Sequence, residues 1–353
     1  MPRKKKKVSI YSLAKELGVS PATVSKALNN YAEISSDLRE KIRAYAEEKN
    51  FNLSRPSRKV INLCALIRHY AGHPIRFSPY VASVMEGISE YANEHGLEFS
   101  IFCGEADKLN NLNLIRELMS RRVDGAIMLQ LDDDCHFLES LQRQKFPFVC
   151  LRSDDGKGHY PLITVDDVAI SKTAVKYLIQ LGHREIGAIV TPPRHPVSRA
   201  RMKGILEAYE DEGLEPRKHL LFENEAFKLD LLKIGYETTL HALNKFPELT
   251  ALLVMNHHVG VGALHALRQL KLRIPEDISL LSSDDFPQTA FFNPPLTVMH
   301  LPNQELGYIA AQRVHGIVDP SFEISTPFHQ ILKADFIIRE STGPVRSAPL
   351  QLS

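Results

Sequence analysis

From Ser20 to Asn29 the chain reads Ser-Pro-Ala-Thr-Val-Ser-Lys-Ala-Leu-Asn, and these residue types suit contact with a polar groove. Ser20 is a good helix N-cap, and Pro21 fits the first helical position, where its missing N–H is no loss. Val24, Ala27 and Leu28 then share one face, leaving Ala22, Thr23, Ser25, Lys26 and Asn29 on the other. A helix that only faced water would carry more Glu and Lys. Small side chains with a single cation suit a helix laid against base edges. The plainer alternative is a helical hairpin with a solvated basic face.

Other constellations carry less. Gly260-Val-Gly-Ala-Leu-His265 follows an apolar run but lacks the third glycine of a dinucleotide loop, so helix–strand packing explains it better. His257, His258 and His265 have no recognised metal-ligand spacing, and neither has Asp132-Asp-Asp-Cys-His136. There is no P-loop, H-E-x-x-H or G-x-S-x-G, and nothing supplies a base, a nucleophile and an electrophile together. The expectation is a protein that is not an enzyme, with no metal and no cofactor. Asp284 closes one apolar strand run and Asn256 another, where a carboxylate or amide can meet hydroxyls or ring nitrogens of a small molecule. Phe286 and Phe291 could offer a ring face beside them.

These groups need elements to hold them. Ser9 can cap a first helix with Leu13, Ala14 and Leu17 inward, Gly18 ends it, and Val19 plugs the turn before Ser20. A third helix follows Ser35, with Leu38, Ile42, Tyr45 and Ala46 at helical spacing. From Ile61 the pattern changes to apolar strands, expected at 63–67, 98–102, 125–129, 148–151, 185–190, 251–255 and 278–281. Amphipathic helices are expected between them, at 83–95, 109–121, 169–181, 199–212 and 260–270. Near-continuous apolar strands alternating with helices argue for parallel sheets covered on both faces, and so many units argue for two doubly wound lobes.

Charge is divided in the same place. Residues 1–58 hold 13 Lys and Arg against 6 Asp and Glu, although the whole chain of 353 residues has a net charge of only +1. A basic head on an acidic body points to a polyanion partner for the head alone. Cys64, Cys103, Cys135 and Cys150 are scattered with no C-x-x-C pair, as for thiols in a reducing compartment. With no signal-peptide pattern and no apolar run near the ~20 residues of a membrane span, a cytoplasmic protein without membrane contact is expected.

The stretch from Val8 to Asn29, with its Gly-Val-Ser, Ala-Thr-Val-Ser and Leu-Asn elements, closely resembles the DNA-binding head of the LacI/GalR repressor family. The resemblance implies that Pro21, Ala22 and Lys26 read bases, with Thr23, Ser25 and Asn29 near phosphates and Ser9, Tyr11 and Ser20 on the same DNA-facing side. Lys26 stands where arginine is frequent, so a forked guanidinium contact becomes a single ammonium contact. The family's minor-groove hinge helix corresponds here to Phe51-Asn-Leu-Ser-Arg-Pro-Ser-Arg-Lys-Val60, a shorter run. Arg55, Arg58 and Lys59 favour backbone contact, and Val60 is the nearest wedge for a base step.

The remainder resembles the family's periplasmic-binding-protein-like sensor, through Arg122-Val-Asp-Gly-Ala-Ile127, Tyr177-Leu-Ile-Gln-Leu-Gly-His-Arg-Glu-Ile186 and Ile274-Pro-Glu-Asp-Ile-Ser-Leu280. The implied fold is an all-α helix-turn-helix head plus an α/β two-lobed sensor of two doubly wound parallel sheets. The implied boundaries are a head over 1–50, a hinge over 51–60, a sensor over 61–340 and a tail over 341–353. The first lobe would take about 61–161 and 296–323, the second about 162–293 and 325–340. Arg201 matches the arginine with which family members grip an effector, and Ser78, Pro79 and Tyr80 match a loop lining the cleft from the other lobe. Structural roles compete with these: Arg201 paired to Asp285, and Asn256 capping the helix near Gly260. His257 and His258 replace a usual aspartate, which suggests pH-sensitive imidazoles at the cleft mouth. Asp167 replaces a usual asparagine and adds negative charge near a lobe crossing. The function implied is a homodimeric repressor on an inverted-repeat DNA operator, controlled by a sugar or related metabolite. The rival is a solute-binding or sugar-processing protein whose basic head has another role.

Overall fold

The computed structural model describes residues 10–28, 34–49, 60–69, 78–111, 113–154, 158–190, 195–215, 221–223, 230–319, 321 and 329–347. The chain divides into two compact units, Met1–Val60 and Ile61–Ser353.

Among the described residues the first unit holds three helices, α1 (Ile10–Leu17), α2 (Pro21–Leu28) and α3 (Ser36–Glu48). Leu13, Ala14, Val24, Ala27, Leu28, Ile42 and Ala46 form its core. Between α1 and α2 Gly18 takes a φ of +69°, a left-handed conformation that a side chain would strain. Val19 folds back through its N–H to the Ala14 carbonyl. Tyr45 on α3 donates its hydroxyl to Glu16 on α1, tying the third helix behind the first two.

Among the described residues the second unit has two six-stranded sheets. The first runs β11-β5-β4-β3-β1-β2, from β1 (Asn62–His69), β2 (Glu98–Glu105), β3 (Gly125–Leu129), β4 (Phe148–Leu151), β5 (Leu162–Val165) and β11 (His329–Leu332). The second runs β12-β10-β9-β8-β6-β7, from β6 (Ile186–Val190), β7 (Leu221–Glu223), β8 (Ala251–Val254), β9 (Ser279–Ser282), β10 (Thr297–His300) and β12 (Asp335–Ile337). Every pairing is parallel except the antiparallel edge pair β10–β12. β1, β3, β4, β6, β8 and β9 are buried along almost their whole length because helices cover both faces; β3, β4, β6 and β8 therefore read as apolar runs, while β1 also buries Asn62 and Arg68 and β9 buries Ser279 and Ser282.

Helices α4 (Pro79–His95), α5 (Ala106–Asn111), α6 (Leu114–Ser120), α7 (Phe137–Arg143) and α12 (Asn303–Val318) belong to the first lobe. Helices α8 (Asp167–Gln180), α9 (Pro196–Asp211), α10 (Leu231–Lys245) and α11 (His257–Gln269) belong to the second. The single helix expected over 109–121 is two, because Asn113 accepts from the Arg116 N–H and starts α6 afresh.

The lobe boundaries also differ from the expected ones. The chain crosses after β5, after β10 and after β11, so residues 162–165 and 329–332 pair in the first sheet and 297–300 in the second. Backbone pairing decides this: Cys150 faces Leu162 across β4–β5, and Thr297 faces Leu281 across β9–β10. Nor is the stretch after 340 a free tail. The Ser341 hydroxyl donates to the Leu280 carbonyl at 2.6 Å, and Arg346 Nη1 donates to the carbonyls of Leu249 and Asp277 at 2.8 and 2.7 Å. These bonds stitch residues 341–346 into the second lobe.

Candidate functional site

In the head, α2 starts with the expected cap. The Thr23 N–H donates to Ser20 Oγ at 3.0 Å, and the Ser20 and Thr23 hydroxyls lie 2.8 Å apart. Val24 and Ala27 are fully buried, which turns the opposite face of α2 outward. Ser20, Pro21 and Ala22 are exposed, Thr23 and Lys26 half-buried, and Tyr11 on α1 is 76% exposed. The backbone of Ser25 lies within α2. Ser9, Asn29, Arg55, Arg58 and Lys59, and the side chain of Ser25, lie outside the described residues; Val60 is exposed.

The second candidate site lies at the carboxyl ends of the strands, where the two lobes meet. Arg201 on α9 is buried and its guanidinium makes four hydrogen bonds. Nε donates to Asp167 Oδ1 at 2.9 Å, Nη1 to the Met255 carbonyl and to Ser283 Oγ at 3.1 Å, and Nη2 to Asp284 Oδ1 at 3.3 Å. Burial opposes the charge, but Asp284 and Asp167 outweigh it and raise the pKa above the ordinary arginine value. The expected alternative pairing to Asp285 does not form. Asp285 instead takes Arg339, His300 and Thr289.

Asp167, expected only to add charge near a crossing, holds two guanidiniums. Its Oδ1 also accepts from Nη2 of Arg152, which follows β4 in the first lobe, at 3.0 Å. Arg199 on α9 makes a further link between lobes, donating through both Nη atoms to Asp133 at 2.8 and 2.7 Å. No motif in the sequence singled out Arg152. Its place directly after a buried strand is the signal that could have found it.

The other expected effector residues divide. Tyr80 brings a hydroxyl that is buried and finds no hydrogen-bond partner among the described residues. Burial raises its pKa, so it stays neutral at physiological pH. Phe286 is buried with its ring 4.1 Å from that of His257. Asn256 uses Oδ1 to cap α11, accepting from the His258 and Val259 N–H groups at 2.9 and 3.5 Å. Ser78 caps α4 in the same way, accepting from Val81 at 3.3 Å. Phe291, 87% exposed, is not the ring face that was expected. Burial pushes His257 down to about 3, helped by the neighbouring His258 charge, so His257 is neutral near pH 7 and does not act as the expected switch. Among the described residues Asp132, Asp134 and Cys135 bring possible ligand atoms within 4.8 Å of one another, but Arg68 donates to both carboxylates. Hydrogen bonding to Asp132, then burial, pushes Asp134 up to about 6.

This architecture is that of known regulators. Residues 9–53 match the family described as bacterial regulatory proteins, lacI family, and residues 175–342 a periplasmic binding protein-like domain. The chain is 26% identical over 350 residues to the HTH-type transcriptional regulator DegA of Bacillus subtilis (strain 168), covering 97% of this chain and 100% of that one. It is 28% identical over 316 residues to the ribose operon repressor of Escherichia coli (strain K12), covering 88% and 93%. Among solved structures, the lac repressor dimer bound to operator and the anti-inducer ONPF superposes with a TM-score of 0.76 at 21% identity, covering 96% of this chain and 100% of that one. Head, two-lobed sensor and full-length relatives agree: the chain belongs to the LacI family of bacterial regulatory proteins and is a DNA-binding transcriptional regulator, not an enzyme.

Proposed function

We propose that this protein is a cytoplasmic homodimeric repressor that reads an inverted-repeat operator through α2, and that a small molecule between the sensor lobes sets its operator affinity. In the head, Pro21, Ala22 and Lys26 face the bases while Thr23, Ser25, Asn29, Tyr11, Ser20 and Ser9 approach the backbone. Arg55 and Arg58 add phosphate contacts beyond them. Two such heads, about one helical turn apart, fit a symmetric site. Effector contacts come from Arg201, Asp284, Tyr80 and Phe286, with the capping residues Ser78 and Asn256 shaping the walls.

The observation that carries this reading is the cluster around Arg201: a buried guanidinium holding four hydrogen bonds, one of them to the partly exposed carboxylate of Asp284, at the strand ends where open α/β sheets bind ligands. A ligand that binds one lobe arrangement better than another shifts the population of the two, and with it the operator affinity.

Gel shifts with an inverted-repeat duplex over a salt series test the head. Binding should fall steeply with salt. Thr23→Asp should abolish it, because a carboxylate meets phosphate, yet leave ligand affinity intact. Equal retardation of wild type and Thr23→Asp sinks the head assignment. A thermal-shift panel of sugars, sugar phosphates, nucleobases and uronates tests the sensor, since a true ligand raises the melting temperature. Asp284→Ala should remove that rise.

A further inference from the structure

The cleft contains two buried donors that the protein leaves unused. The Arg152 side chain is only 8% exposed, and its Nη1 has no hydrogen-bond partner among the described residues, although Nη2 is bound to Asp167. The Tyr80 hydroxyl is the other. Both come from the first lobe; Asp167 joins Arg152 to Arg201, which in turn holds Asp284, and the charges of Arg152, Asp167 and Asp284 act on the Tyr80 hydroxyl. Arg152 is also held at a φ of +71°, left-handed backbone that an arginine adopts only at a cost. A guanidinium nitrogen buried without an acceptor is unfavourable, and such groups persist in native proteins where something else supplies the acceptor.

We infer that the effector carries a carboxylate, received by Arg152 Nη1 and the Tyr80 hydroxyl, together with a hydroxyl that donates to Asp284: a small sugar acid rather than a neutral sugar. This rests on the interlobe cleft being the effector site. Two donor groups match the two oxygens of a carboxylate, and a bond from a guanidinium to an ionised oxygen is stronger than one to a hydroxyl. Charge argues for a monoanion. Arg152 and Arg201 are already balanced by Asp167 and Asp284, so a phosphate dianion would leave twice the excess negative charge beside two carboxylates. It would also bring a third oxygen for which these two donors have nothing to offer.

Calorimetric titration of the full-length protein decides it, using D-glucuronate, D-galacturonate and D-gluconate against D-glucose, D-galactose and glucose 6-phosphate. At least one acid should bind, with the matching neutral sugar about tenfold or more weaker. Arg152→Gln should weaken the acid about tenfold or more and narrow its advantage over the neutral sugar. Tyr80→Phe keeps the ring volume and should weaken the acid by a smaller factor, so the test survives even if Arg152→Gln folds poorly. Operator binding by each variant checks its fold. The proposal is overturned if a neutral sugar matches the acid, if glucose 6-phosphate binds more tightly, if no acid binds, or if Tyr80→Phe and Arg152→Gln leave acid affinity unchanged. A neutral sugar whose binding is lost in Asp284→Ala defeats only the acid class. Binding of every compound that ignores Asp284→Ala defeats the cleft itself.

Discussion

Arg152 of the first lobe and Asp167 of the second form a buried ion pair, Nη2 to Oδ1 at 3.0 Å, across the boundary that the chain crosses between β5 and α8. The same oxygen receives Nε of Arg201, so one carboxylate separates two guanidiniums that would otherwise repel in a poorly solvated space. Removing such a carboxylate leaves both cations without their shared partner, which in buried pairs costs about 3–5 kcal/mol. Asp167→Asn should therefore lower sensor stability by roughly this amount, read from urea unfolding. A loss of under about 1 kcal/mol would show that water screens the pair.

Helix packing in both lobes depends on glycines at close crossings. A Cβ on Gly307 of α12 would lie 2.1 Å from the Val84 carbonyl oxygen on α4, and one on Gly87 would lie 1.9 Å from that of Gln304. The second lobe repeats the device, with Gly262 of α11 against Leu232 and Gly235 of α10 against Val259, at 2.0 and 2.1 Å. The blocking atoms are backbone, so neighbouring side chains cannot move aside to relieve the contact. Gly307→Ala should cost about 3 kcal/mol or more, the upper end for overpacking. Gly213→Ala is the comparison, because its Cβ meets nothing within 4 Å; its φ of +67° gives a penalty from backbone strain alone. Chemical denaturation of the two variants side by side measures the difference, and equal losses would remove the packing argument.

How much of this was visible in the residues depended on burial and on strand length. β3 and β4 lie where the apolar runs placed them, because both faces are covered and every position is hydrophobic. β5, β7, β10, β11 and β12 escaped notice: each has only three or four residues, and β11 and β12 are partly exposed edge strands with no periodic signal in His-Gln-Ile-Leu or Asp-Phe-Ile. In the cleft, Arg201 and Asp284 were named from residue type and family pattern. Arg152 was not, since its role comes from where β4 ends in space and from which nitrogen stays unbonded. Ser78 and Asn256 show the converse. Their types fit ligand contact, but each directs its side-chain oxygen to a helix N-terminus one turn away.

The cap of α2 links head stability to DNA reading. Ser20 Oγ accepts from the Thr23 N–H, satisfying a donor that the helix itself leaves unpaired. Ser20→Ala should cost about 1 kcal/mol, a large share for a core of seven buried side chains. Amide exchange should quicken first along α2, and operator affinity should fall while ligand-induced stabilisation of the sensor is unchanged. Unaltered exchange along α2 would mean that water replaces the cap without loss.

A last prediction concerns pH. His257 follows the Asn256 cap, its ring tilted against that of Phe286 and beside His258, and burial holds its pKa at about 3 against an ordinary value of 6.5. Its folded pKa lies below the unfolded one, so the unfolded chain takes up the proton first. The neutral imidazole is tolerated above pH 6.5, and stability is lost as pH falls from there toward about 3. One proton gives a slope of at most about 1.4 kcal/mol per pH unit, reduced by the partial exposure of the ring. His257→Gln has no such proton, so the gap between wild type and variant should shift in the variant's favour from pH 6.5 to pH 4.5. Carboxylates titrate over part of this range in both proteins, and comparing the two cancels their contribution. Parallel urea-unfolding curves at every pH would place the imidazole in water, and His257 would then titrate as an ordinary surface histidine.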